Sequence, residues 1–126
     1  MENIDWVSKR HTCSIQKLFE TLKIEVQSDI TTRNSLRPEH AHYQFSFASK
    51  NDIFTVFSES NSGPNSVKFT LSQKSIVVSD GNGKLIIEAT VTLNNEGECR
   101  FRSGASEYES WQIRRKALED LFFNTF

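Results

Sequence analysis

Leu85-Ile86-Ile87-Glu88-Ala89-Thr90-Val91-Thr92-Leu93 is the stretch that decides the fold. Leu85, Ile87, Ala89, Val91 and Leu93 fall on every second position, the period of a strand with one buried face. Asp80-Gly81-Asn82-Gly83 before it and Asn94-Asn95-Glu96-Gly97 after it hold the Gly-containing steps that tight hairpin turns need. Working outward, Cys99 and Phe101 alternate with Glu98, Arg100 and Arg102 downstream. Upstream come Ile76-Val77-Val78, then Val67, Phe69 and Leu71 between polar neighbours, then Ile53 to Glu59, then Tyr43, Phe45 and Phe47. Lys50-Asn51-Asp52, Asn61-Ser62-Gly63-Pro64-Asn65 and Ser72-Gln73-Lys74 separate these runs. Six strands with short connections predict an antiparallel meander, since successive strands usually pair. Accumulated right-handed twist predicts strong curvature.

A helix is expected on each side of the sheet in sequence. Ile15, Phe19, Leu22, Val26 and Ile30 recur at helical spacing after Thr12 and Ser14, either of which can cap. Leu22, Ile24 and Val26 also alternate as a strand would, but the helical period fits the longer window. Ser106-x-x-Glu109 reads as a capping box for the last helix, whose apolar stripe is Tyr108, Trp111, Leu118, Leu121 and Phe122, with Arg115 at its edge. The prediction is one α+β domain over residues 1–126, with both helices on one face of the sheet. Its inward strand residues are Tyr43, Phe45, Phe47, Val67, Phe69, Leu71, Leu85, Ile87, Ala89, Val91, Cys99 and Phe101, and its inward helical residues include Trp111.

Composition narrows the function classes. The chain has 126 residues, 37% hydrophobic and 25% charged, so it is long enough for one core. Phenylalanine is over-used, at 10 residues against 2 Tyr, and a ring without a polar handle suits a core or an interface. A net charge of −1 argues against general nucleic-acid binding. The opening residues Met1 to Trp6 lack the pattern of a secretory leader, and no apolar run reaches the roughly 18 residues of a membrane span. Cys13 and Cys99 are far apart and match no metal spacing. One disulfide between them is the alternative, but so few cysteines in a chain this long read more simply as reduced thiols in a cytoplasmic protein, with Cys99 a buried small hydrophobe.

No constellation reaches a catalytic, cofactor or metal signature. His40-x-His42 places two imidazoles together but lacks a third ligand at a known spacing. His11-x-Cys13 lacks a group to orient the base. Arg114-Arg115-Lys116, with Arg100 and Arg102, is interrupted by acids and reads as solvated surface rather than a phosphate site. Asp80-Gly81-Asn82-Gly83 lacks the Lys-Ser/Thr and the helix of a phosphate loop. No enzyme activity, cofactor or metal is expected.

One anomaly points elsewhere. A sheet with one wet face should be apolar on one side only, yet Phe54 and Val56 oppose Ile53 and Phe57, Val77 opposes Ile76 and Val78, and Ile86 opposes Leu85 and Ile87. Phe54, Val56, Val77 and Ile86 are therefore the expected interaction surface, with Phe123 and Phe126 near the C-terminus, which the helical stripe leaves unused. On this reading Phe54→Asp or Val77→Asp shrinks an assembly without unfolding its subunits. The expected function is a non-enzymatic protein-binding module, of the adaptor, chaperone or inhibitor kind, that self-associates or docks a protein partner. The alternative is a carrier or sensor of a hydrophobic small molecule held between sheet and helix.

Overall fold

A computed structural model describes residues 3–36, 44–58 and 65–123. Two helices, α1 (Trp6–Thr12) and α2 (Ile15–Ser35), precede seven strands: β1 (Phe45–Lys50), β2 (Ile53–Ser58), β3 (Ser66–Leu71), β4 (Ile76–Asp80), β5 (Leu85–Leu93), β6 (Cys99–Ser103) and β7 (Ser106–Tyr108). Helix α3 (Ser110–Phe123) follows. Each strand pairs antiparallel with the next in the order β1 to β7, so the α+β meander is present. The sheet stays open, with β1 and β7 as its edges, and is not strongly curled. Strong bending needs bulges or glycine kinks, and the described ladders shift register only between Val78 and Ser79.

The seventh strand replaces the expected helix cap. Gly104 takes a φ of 61°, which lets the chain reverse so that Ser103 pairs with Ser106. Ser106 is thereby spent on the sheet and α3 starts later. The reciprocal half of a capping box forms instead around Glu109, whose backbone N–H donates to the Gln112 side chain at 2.8 Å. This shift also changes which residues of α3 face the sheet. Ile113, Ala117, Leu118, Leu121 and Phe122 are buried, while Trp111, expected inside, is exposed.

Helix α2 follows the longer-period reading. Ser14 accepts the Lys17 N–H at 3.1 Å as N-cap, and Phe19, Leu22, Val26 and Ile30 are buried on one stripe. Ile24, which the strand reading would have paired with Leu22 and Val26, is exposed. Helix α1 was not expected. Asp5 caps it by accepting from the Ser8 N–H at 3.1 Å and the Ser8 hydroxyl at 2.7 Å, and that hydroxyl, more than the N–H, holds the Asp5 carboxyl below its ordinary pKa.

Cys13, at the corner between α1 and α2, is disulfide-bonded to Cys99 at the start of β6, 86 residues away with Cα atoms 5.4 Å apart. This corrects the reduced-thiol reading and the placing of Cys99 as a lone small hydrophobe. The corner is brought over the β5–β6 hairpin, where Gly97 has a φ of 77° and a Cβ there would meet the Ile4 side chain at 3.2 Å. The positive φ favours glycine there, and a larger residue would also have to displace the Ile4 side chain by a few tenths of an ångström.

The β1–β2 turn sets the core. Lys50 pairs with Ile53 across Asn51-Asp52, with Asn51 at a φ of 55°. That register puts Phe47 opposite Val56 and Ser49 opposite Phe54, and the next ladder puts Phe54 opposite Phe69 and Val56 opposite Val67. Phe54 and Val56 therefore point toward the helices, and Ile53, Thr55 and Phe57 point away. A one-residue change of phase moves a whole strand to the other face, and the sequence reading had the alternation of β2 right but its face inverted. The rings of Phe19 and Phe54 lie 5.1 Å apart, and those of Phe54 and Phe69 stack at 4.5 Å. Leu85, also expected inside, is exposed because register jumps from Val78–Ile87 to Ser79–Leu85, with Ile86 as the extra residue. Tyr43 lies outside the described residues.

The last turn of α2 holds the edge strand. Asn34 Nδ2 donates to the Phe45 carbonyl at 3.0 Å, and Asn34 Oδ1 accepts the Phe45 N–H at 2.9 Å. Asn34→Ala removes both bonds and is expected to cost about 1–3 kcal/mol in urea unfolding. Faster amide exchange at Phe45 should accompany the loss. Unchanged stability and exchange would show that the clip is dispensable.

Candidate functional site: a groove between the long helices

Three side-chain pairings fix how α2 and α3 lie. The Ser110 hydroxyl donates to Glu25, Arg114 Nη1 donates to both Asp29 oxygens at 2.7 and 2.8 Å, and Arg33 Nε donates to the Phe122 carbonyl at 2.9 Å. Both helices advance in the same sense along these contacts, so they run parallel. Each first binds the sheet, through Phe19, Leu22, Val26 and Ile30 on α2 and through Ile113, Ala117 and Leu121 on α3.

Between the C-terminal parts of the helices, on the side away from the sheet, is a groove of about 280 Å³ that is open to solvent. Leu118 and Phe122, both buried, form its floor. Thr32 and Leu36 of α2 and Trp111 and Phe123 of α3 form its sides. Leu36 is 69% exposed, Phe123 63% and Trp111 50%, a large apolar surface for three neighbouring residues to leave in water. Trp111, Leu118 and Phe122 belong to the stripe that the sequence assigned to the core. On the helix that stripe lies round toward α2, and only its lower members are covered.

The charges in the groove differ in their commitments. Arg114 is held by Asp29 and, at 3.8 Å, by Glu25. Arg115 pairs with Glu119 at 2.9 Å, one turn along the same exposed helix face. Arg33 is different. Its guanidinium carbon lies 5.5 Å from the Phe45 ring centre and 5.1 Å from that of Phe123, and among the described residues only its Nε is hydrogen-bonded. The bond to the Phe122 carbonyl places a cation at the end of α3, where free carbonyls favour positive charge.

The sequence-derived surface divides in three. Phe54 and Val56 have 0% exposure and belong to the core, which removes them from any surface. Val77 does lie on the outer sheet face, half-buried between Thr70 and Glu88, and Ile86 is half-buried against the core at the bulge. Phe123 lines the helical groove, and Phe126 lies outside the described residues. His11 is exposed on α1, Cys13 is bonded to Cys99, and His40 and His42 lie outside the described residues. Leu36, Trp111 and Arg33 were missed. Only the leftover Phe123 signalled that this end of the molecule carries apolar surplus.

A larger depression of about 620 Å³ lies between the β4–β5 turn and α3. Its lining includes Asn65, Asp80, Asn82, Lys84, Lys116 and Asp120, and no aromatic side chain. Val67, Leu85, Ile86 and Leu121 give it apolar surface as well, but its lining is more polar than that of the groove and offers no aromatic anchor. Among the described residues no helix is long and apolar enough to cross a membrane. No protein-family model, no curated protein and no solved structure matches this chain.

Proposed function

We propose that this chain is a small non-enzymatic protein-binding module whose docking face is the α2–α3 groove. The observation that carries the reading is the exposure of Leu36, Trp111 and Phe123 around one groove. Aromatic side chains in a concave surface are the usual anchors of a protein interface. The acids of the groove, Asp29 and Glu119, are each committed to an arginine, and neither cysteine is a free thiol, which favours binding over catalysis. The binding face is thus moved from the sheet, where the sequence suggested it, to the helical layer. The Cys13–Cys99 bond favours an oxidising compartment over the cytoplasm, because reducing compartments keep such thiols apart.

The test is affinity capture from the native host with mass spectrometry and a parallel native mass. Trp111→Asp/Phe123→Asp is expected to lower partner recovery at least about tenfold, the effect of losing one or two anchors of about 1–2 kcal/mol. Its melting temperature should fall only slightly, because both side chains are at least half exposed and lie outside the core. Val77→Asp on the outer sheet face should leave recovery as it was. If the partner is a second copy, the same double variant converts dimer to monomer. Equal recovery from wild type and double variant would sink the assignment of the groove.

A further inference from the structure

We propose that the α2–α3 groove recognises the free C-terminal carboxylate of a partner polypeptide, with Arg33 as the carboxylate receptor and Trp111, Leu36 and Phe123 as the pocket for the terminal apolar side chain. The inference rests on the groove being the docking face.

Arg33 carries the argument. Among the described residues Arg33 has no carboxylate partner and its terminal Nη groups have no hydrogen bond, whereas in the same groove Arg114 is held by Asp29 through Nη1 and Arg115 by Glu119 through Nε. Phe45 and Phe123 flank its guanidinium, and its Nε is anchored on the Phe122 carbonyl. The side chain is therefore fixed in place with its outer donors unspent. A guanidinium fork held in this way matches a carboxylate, which accepts two parallel N–H donors. Partial removal from water strengthens such a bond over one on an open surface.

The surroundings select among carboxylates. Arg33 stands at the rim of an apolar groove, so its ligand bears a carboxylate beside an apolar group. The side-chain carboxylate of Asp or Glu brings a polar backbone on both sides, while a chain terminus brings one apolar side chain directly next to the charge. A groove of about 280 Å³ holds one or two side chains and stands at the lower end of small-molecule sites, which run to roughly 300–1,000 Å³ and enclose most of their ligand. This groove is open, so a small free acid would keep much of its surface in water. A peptide end fills the groove with its last residues and leaves along the helices.

The experiment uses the full chain with Trp6→Phe, so that Trp111 is its sole tryptophan. An array of random octapeptides with free C-terminal carboxylates is screened beside the same octapeptides amidated. Peptides selected from the array are then titrated against Trp111 fluorescence. The expected result is enrichment of free acids with an apolar last residue. Amidation should weaken these by about 10–100-fold, the value of a charge-assisted hydrogen bond. Arg33→Gln is expected to remove the difference between acid and amide, and Arg33→Lys, which keeps the charge but not the fork, to retain part of it. The acid–amide comparison is made on Arg33-intact protein, so it decides the matter even if a variant at position 33 is unstable. Equal binding of acids and amides that is lost with Trp111→Asp would overturn carboxylate recognition while leaving the groove as a docking face. No binding of either peptide form, with decanoate changing Trp111 fluorescence, would overturn the peptide and favour a small hydrophobic acid. No response to any of these probes would overturn the inference, and host capture sensitive to Trp111→Asp/Phe123→Asp would still uphold the docking face.

Discussion

Phe54→Asp abolishes folding, and Phe54→Ala lowers the unfolding free energy by about 3–5 kcal/mol. Phe54 has no exposed surface and sits between Phe19 of α2 and Phe69 of β3, with Phe47 of β1 at 5.6 Å. Truncation opens a cavity at the point where helix and sheet meet, and close-packed interiors relax only partly around such a void. An aspartate there brings a charge into a site lined by phenylalanine rings, which donate no hydrogen bond to its carboxylate. Because small domains have only about 5–15 kcal/mol of stability in total, the alanine variant remains folded with a lowered urea midpoint and the aspartate variant does not. Val77→Asp, half-buried on the outer face, is expected to stay folded and to lose about 1 kcal/mol. Urea titrations followed by circular dichroism check all three. A folded Phe54→Asp protein with a changed native mass would restore the sheet surface that the sequence suggested and remove Phe54 from the core.

The alternation of the strands and the stripe of α2 were legible because each rests on a local period. Ser14 to Ile30 needs no knowledge of the rest of the chain. The face of β2 was not legible, because Ile53-Phe54-Thr55-Val56-Phe57 is apolar on both sides and only its pairing with Phe47 and Phe69 selects Phe54 and Val56. The three-residue strand β7 was hidden by Ser106-x-x-Glu109, a credible cap signal that tertiary pairing overrode. The groove was illegible for a further reason. Trp111 sits on the same helical stripe as the buried Leu118 and Phe122, and hydropathy cannot tell the part of a stripe that is covered from the part that lies between two helices. Arg33 looks in the sequence like any surface arginine. Its distinction is spatial: Phe45 and Phe123, 12 and 90 residues away, flank it.

Breaking the Cys13–Cys99 bond, by reduction or as Cys13→Ser/Cys99→Ser, is expected to lower stability by about 2–5 kcal/mol, the range for a crosslink that closes a long loop. The bonded residues are 86 apart in sequence, so the link joins the α1–α2 corner to β6 across most of the sheet and constrains the unfolded chain strongly. In the folded chain the effect should be local. Helix α1 has no buried residue, and the Ile4 and Lys9 side chains lie beside Gly97 of the β5–β6 turn. Amides of residues 6–12 should therefore exchange rapidly once the bond is gone, while those of α2 from Phe19 onward stay protected by the core. Urea unfolding with and without dithiothreitol, read beside hydrogen exchange, separates the two effects. The groove is formed from the far parts of α2 and α3, so partner recovery at low denaturant should survive reduction even as the midpoint falls. A loss below about 0.5 kcal/mol would mean that packing alone holds the corner against β6 and that the bond adds little to it. Loss of recovery on reduction in a protein that stays folded would place α1, with its exposed Trp6 and Val7, in the docking face as well.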